Sequence, residues 1–306
     1  MTGEQFADWA LHGKKDFSGR QMPDGTDLTE LERWEELKTY LNTFPMNASH
    51  QFEYATKALN LSGGRFYGLR APGLSLRYLV AENTDFTSAD FTGTNLSYAN
   101  LSDSRLSGAI IFKSALVKAN LSNARLPDVD LRMANLSNAN LKGARLPQAK
   151  LLKANLSSAK LPHTELPDSD LKKANLTGAD FSLSHLEGSD LTDAITSETI
   201  FSGADLSRTK HGGTHLWEAY LDGVNLGYSS GVRYRQTVNI GDKNDIITFV
   251  LSEGPGNLED RIIVSTRSFR GALSKFRKHI EDKYRDSKIG IDYLKETDYA
   301  LERLDP

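Results

Sequence analysis

From residue 86 to residue 226 a large apolar side chain returns at every fifth position. Of the 29 positions in that series 27 are Leu, Ile or Phe, and the exceptions are Thr196 and His211. Two residues before each stands a small partner, Ala, Ser, Thr or Val in all 29 cases and Ala in 16. Neither regular element accommodates this period. On an α-helix five residues advance about 500°, so successive leucines are displaced by roughly 140° and never line one face. In a flat strand they alternate between the two faces. If each five-residue unit instead turns the chain by a quarter, four units close a square coil and every leucine points at one axis. The three remaining positions of each unit are mostly Asp, Asn, Lys, Arg, Ser, Thr and Gly, as a solvated wall requires.

A coil of that size stacks residues twenty apart, and the sequence shows the columns. Pro127, Pro147 and Pro167 each follow an inward leucine, and Arg105, Arg125 and Arg145 share another column. Proline fixes φ near about −65° and suits the second position of a type I or II turn, so it marks recurring corners. With rungs about 4.8 Å apart, seven coils make a rod of roughly 34 Å. Leucine-rich repeats and coiled coils have other periods and are excluded. Leu121, Leu126, Leu131, Leu136, Leu141 and Leu146 are predicted to point inward.

Segments such as ANLSN, ANLKG and ADFSL resemble the pentapeptide-repeat family, whose motif is A(D/N)LXX, over about residues 84–228. That resemblance implies a right-handed quadrilateral β-helix; the periodicity by itself leaves the hand open. The predicted class is mainly β, with a helical N-terminal cap over 1–58, the solenoid over 59–228 and a small α+β domain over 229–306.

The flanking regions carry other periods. In TDLTELERWEELKTYL, Asp27 stands as a cap with Glu30 three residues later, and Leu31, Trp34, Leu37 and Leu41 follow along one stripe. Between 59 and 83 a fivefold beat runs through Leu69, Leu74 and Leu79 in a shifted phase, which predicts an irregular first coil or two. After Tyr228, VRYRQTVNI, IITFVL and RIIVST read as strands, and RSFRGALSKFRKHIEDKY and IGIDYLKETDYALERL as helices. The cluster of Leu183, Ile195, Ile200, His215, Trp217 and Tyr220 falls on outward positions of the final coils. Something must cover it, and the C-terminal domain is expected to fold back on that corner and seal the end.

Composition narrows the chemistry. There are no cysteines, so disulfides, thiolate metal sites and a cysteine nucleophile are excluded. No apolar run reaches signal-peptide or membrane-span length, and a cytoplasmic location is expected. A formal charge of −3 gives little drive toward nucleic acid or membrane, and the basic helix after Thr266 reads as a solvated face over a core stripe. His211 and His215 in HGGTH are four apart, a helical zinc spacing, but a solenoid puts them on successive positions of a turning chain. No P-loop, nucleophile elbow or dinucleotide fingerprint occurs. We expect no catalytic residues, no cofactor, no metal and no enzyme.

A binding surface remains. Folding the sequence by twenties puts Ile110, Phe112, Met133 and Leu152 on the outside of one wall, beside Lys113, Arg132, Lys150, Lys153, Lys172 and Lys173. Apolar side chains facing outward in consecutive coils, ringed by cations, point to an acidic protein partner. The expected function is therefore a non-enzymatic scaffold for protein–protein interaction, with a homodimer compatible with the sequence. The alternative follows from the resemblance: some members of the family mimic B-DNA and bind DNA gyrase or topoisomerase IV, a type II topoisomerase. Against it, residues 83–228 hold 16 Asp and Glu against 14 Lys and Arg, far from a duplex with one charge per about 1.7 Å.

Overall fold

The computed structural model describes residues 1–42, 58–240, 245–252, 257–285 and 287–304. From Asn60 to Ser230 the chain forms one parallel bridge in almost every five-residue unit, and each pairs with the residue twenty further on, as Asn60 does with Val80 and Lys210 with Ser230. Rungs are joined by backbone bonds: the Leu136 N–H donates to the Asn155 carbonyl at 2.7 Å, and the Asn155 N–H to the Ala134 carbonyl at 2.9 Å. Leu121, Leu126, Leu131, Leu136, Leu141 and Leu146 are all fully buried. So are the residues two before them, five alanines and Val129, because a narrow core has room for one bulky and one smaller side chain per wall.

The corners explain the polar positions. The third residue of each turn lies in the left-handed region, as Asn138 does at φ 59°. That is the type II pattern. The 34 fifth-spaced positions from 63 to 228 hold no Val, Ile, Thr or Pro, the residues least able to adopt positive φ. All but Glu218 do adopt it. Every proline of the coils (Pro72, Pro127, Pro147, Pro162, Pro167) sits one residue earlier, where its fixed φ fits.

The first coils correct the expected irregularity. Leu61, Phe66, Ala71, Leu76 and Ala81 keep the phase of the later series, and Leu69, Leu74 and Leu79 are buried at the position usually held by the small residue. Bulk has changed places within the unit while the backbone stays regular.

A second correction lies at the N-terminus. It is not only helical: residues 16–27 form a partial coil beneath the solenoid, with parallel bridges from Asp16 to Asn60, Gln21 to Arg65 and Asp27 to Arg70. Phe17, Met22 and Leu28 fill its interior. Helix α1 (Gly3–Leu11), opened by a Thr2–Gln5 capping box, lays Phe6, Ala7 and Ala10 over this layer, and the Phe6 ring lies 4.9 Å from that of Phe17. Asp27 caps a single 3-10 turn, Leu28–Glu30, instead of a long helix, and pairs with Arg70. Helix α2 (Trp34–Asn42) buries Leu37 and Leu41. Residues 43–57 of the expected cap lie outside the described residues.

At the other end four antiparallel strands, β1 (Tyr234–Ile240), β2 (Asp245–Leu251), β3 (Ile262–Ser265) and β4 (Arg270–Ala272), form a meander in that order. Strand β4 lies in a stretch expected to be helical. Helices α3 (Leu258–Arg261), α4 (Leu273–Tyr284) and α5 (Lys288–Leu304) accompany it. The sheet has two working faces, as strand alternation dictates. Ile247, Phe249, Leu251, Ile262 and Val264 pack with Phe276 and Ile280 of α4. Val250 joins the solenoid core. Polar side chains of that inner face satisfy the last coil's backbone: Ser265 Oγ accepts from Leu221 N–H at 3.1 Å, Gln236 Nε2 donates to the Val224 carbonyl at 2.6 Å, and Arg270 Nε to that of Ala219 at 2.9 Å. The domain thus closes the open end. It covers the expected corner only in part: the Arg270 guanidinium lies 4.8 Å from the Tyr220 ring and Trp217 lines the junction, whereas Leu183 and Ile195 remain 53% and 52% exposed.

Candidate partner-binding wall

The bridges that run Ile110 to Asp130, Asp130 to Lys150 and Lys150 to Asp170 make one column. The neighbouring turns stack with it: Lys113 N–H bonds to the Arg132 carbonyl at 3.1 Å, Met133 N–H to that of Leu152 at 3.0 Å, and Lys153 N–H to that of Lys172 at 2.9 Å. All nine candidate residues, Ile110, Phe112, Lys113, Arg132, Met133, Leu152, Lys153, Lys172 and Lys173, therefore share one wall over four consecutive coils. Ile110 and Met133 are 41% and 47% exposed, and Phe112 and Leu152 are half-buried.

The cations are not equivalent. Lys113 Nζ lies 5.0 Å, and the Arg132 guanidinium 5.6 Å, from the centre of the Phe112 ring, within cation–π range. Arg132 also forks onto Asp130 with bonds of 2.8 and 2.6 Å. Burial raises the Asp130 carboxyl, but the Arg132 side chain and backbone N–H outweigh it and hold the group below its ordinary range. Lys172 stands between Asp170 at 3.5 Å and Asp190 at 3.9 Å, and Lys173 is 4.0 Å from Asp193. Among the described residues Lys113, Lys150 and Lys153 have no carboxylate within ion-pair distance.

The sequence reading missed the acids. Asp130 and Asp170 occupy the same column as Ile110 and Lys150, and the same folding by twenties exposes them. Their effect is to leave the positive charge concentrated on Lys113, Lys150 and Lys153, around Phe112, Met133 and Leu152. Of the two histidines in HGGTH, His211 is buried with Nε2 2.6 Å from Thr209 Oγ1, and His215 stacks on Trp217 at 4.5 Å. Among the described residues no cluster of His, Asp or Glu is arranged to hold a metal ion, and no helix is long and apolar enough to cross a membrane.

Eight copies of the pentapeptide-repeat sequence model match residues 75–110, 114–151, 149–188 and 199–230. These coils are pentapeptide repeats. Several solved pentapeptide-repeat structures are similar to the chain. Trypsin-treated QnrB1, a plasmid-mediated fluoroquinolone resistance protein, is 20% identical over 53% of this chain and 81% of its own, with a TM-score of 0.48. HetL, involved in heterocyst differentiation regulation in the cyanobacterium Nostoc, is 23% identical over 75% and 99%, with a TM-score of 0.28. A pentapeptide repeat protein of the Arabidopsis thaliana thylakoid lumen is 27% identical over 31% and 63%, also at 0.28. No curated protein matches the chain.

Proposed function

We propose that this protein is a non-enzymatic scaffold, acting in the cytoplasm, that holds an acidic protein partner on the wall of Ile110, Phe112, Met133 and Leu152. The coil is taken to be right-handed, as in the pentapeptide-repeat family. The observation that carries the reading is the coincidence, in three adjacent coils, of exposed and half-buried outward apolar side chains with three lysines that have no carboxylate within ion-pair distance among the described residues. Large exposed apolar residues grouped on a rigid surface mark interaction sites, and unpaired cations at the rim steer an oppositely charged partner while setting its salt dependence. The rival reading is a DNA mimic offered to a type II topoisomerase. It needs a continuous acidic face, whereas Glu165, Asp168 and Glu187 span only two coils and adjoin Arg145 and Arg208.

The test is capture from a native extract by the full chain and by the variant Lys150→Glu with Lys153→Glu. Wild-type capture should weaken steeply as salt rises from about 0.05 to 0.3 M, and the variant should lose the same partner. Capture indifferent to both salt and charge reversal contradicts the reading. Inhibition or protection of DNA gyrase in a supercoiling assay would favour the rival.

A further inference from the structure

A cleft of about 520 Å³ opens where the solenoid meets the C-terminal domain. Its walls come from four separate stretches of chain: the last coil, the connection at 231–233, the end of β2 and the end of α3. The last coil departs from the repeat here, with a 3-10 turn at Leu216–Glu218 in place of the usual corner. Beside that turn the His215 and Trp217 rings are stacked, with centres 4.5 Å apart and 22° between planes. Gly231, at φ 80°, lies so close to the coil that a Cβ would stand 2.5 Å from the Gly212 nitrogen, so this part of the floor is bare backbone.

Two guanidinium groups line the cleft. Arg261 is held in place by Nε and Nη2, each 3.3 Å from the Ser252 carbonyl oxygen, which leaves Nη1 without a partner among the described residues. Arg233 is exposed, and its side chain has no hydrogen-bond or ion-pair partner among them. The nearby carboxylate of Glu218 is engaged by Ser197 Oγ and faces His215 at 3.7 Å.

We propose that this junction cleft binds a nucleoside phosphate, with the phosphate between Arg233 and Arg261 and the base against the Trp217–His215 stack. Guanidinium forks match phosphate oxygens in geometry and charge. A planar base supplies the aromatic partner that the stacked rings favour. The volume falls within the range of about 300–1,000 Å³ typical of small-molecule sites, which occur preferentially where domains meet. The site is separate from the partner-binding wall and does not rest on it.

Calorimetric titration of the full chain with ATP, ADP, AMP and GTP, with tryptophan fluorescence in parallel, tests this. At least one nucleotide should bind at about 0.1 mM or tighter and quench part of the fluorescence. Trp217→Phe should remove that quench, since Trp9 and Trp34 stand at the opposite end. Arg233→Gln, at an exposed side chain, should leave folding intact and weaken binding about tenfold or more. Adenosine and inorganic phosphate, each lacking one half of the ligand, should bind at least about tenfold more weakly. The proposal is overturned if no nucleotide binds at about 1 mM, if adenosine or phosphate alone binds as tightly, or if affinity is unchanged in both Arg233→Gln and Trp217→Ala.

Discussion

The wall of Ile110, Asp130, Lys150 and Asp170 and the wall opposite it, on Asn100, Asn120 and Asn140, share one backbone and one core yet differ in where their polar groups are directed. On the asparagine wall the repeat satisfies itself. Asn120 Nδ2 donates to Asn100 Oδ1, and Asn140 Nδ2 to Asn120 Oδ1, at 3.0 Å each. The same Oδ1 atoms accept backbone N–H groups two residues on, from Ser102 and Ser122 at 3.2 Å each. Identical residues in a column thus form a ladder directed at the protein itself. On the other wall the column changes at every coil. Ile110 offers no polar side chain, Lys150 feels the Asp130 carboxylate but makes no ion pair among the described residues, and Met133 faces solvent. Under the proposed function it is the departures from the repeat, more than the repeat, that engage the partner.

Both walls depend on the same interior. Leu136→Asp, which places an unpaired carboxylate among fully buried leucines, should cost several kcal/mol and abolish the cooperative melt followed by circular dichroism. A variant melting within about a degree or two of the parent, for a loss that size, would remove the common core from the comparison. Truncation after Gly227 comes next in size. It deletes Gln236, Ser265 and Arg270, the partners of the last coil's backbone, and uncovers Leu221 and Leu226. The solenoid should melt lower and bind a dye for apolar surface, whereas a truncated rod as stable as the full chain would show the domain to be only tethered.

Much of this is legible in the sequence, and for a single reason: a period of five fits a square coil and leaves only its hand open, so the inward leucines and the columns of the candidate wall follow together. What escaped had a physical cause in each case. The partial coil at 16–27 is hidden because Met22 to Leu28 spans six residues, and because more than thirty residues separate it from its bridge partners. Leu69 and Leu74 read as a shifted phase because sequence reports which position is bulky, whereas the backbone depends only on both being inward. Strand β4 is three residues inside a helical pattern. The junction cleft joins residues from 213 to 261 that no local pattern connects.

One of the two exceptions to the inward series offers a finer probe. His211 occupies a leucine position, and burial pushes its imidazole down to about 4, with the Asp190 carboxylate opposing weakly. The folded state therefore keeps it neutral where the unfolded chain, with an ordinary value near 6.5, takes up a proton. This contribution is complete above pH 6.5 and is lost as pH falls through about 4, up to about 3 kcal/mol. His211→Leu should flatten the stability profile across that window, and a slope that survives the substitution would place its origin elsewhere. Smaller still, Asn120→Ala breaks the ladder above and below and should cost about 1 kcal/mol with partner capture unchanged. If capture falls instead, the asparagine wall is not purely structural.

The most direct measurement compares matched pairs on the two walls. Phe112→Ser with Leu152→Ser, and Asn120→Ser with Asn140→Ser, are assayed side by side for thermal stability and for capture of the partner identified with the wild-type chain. The account predicts that the first pair loses capture with a stability change of no more than about 1–2 kcal/mol, while the second retains capture despite its broken ladder. Equal capture by both pairs, or loss confined to the asparagine pair, would contradict it.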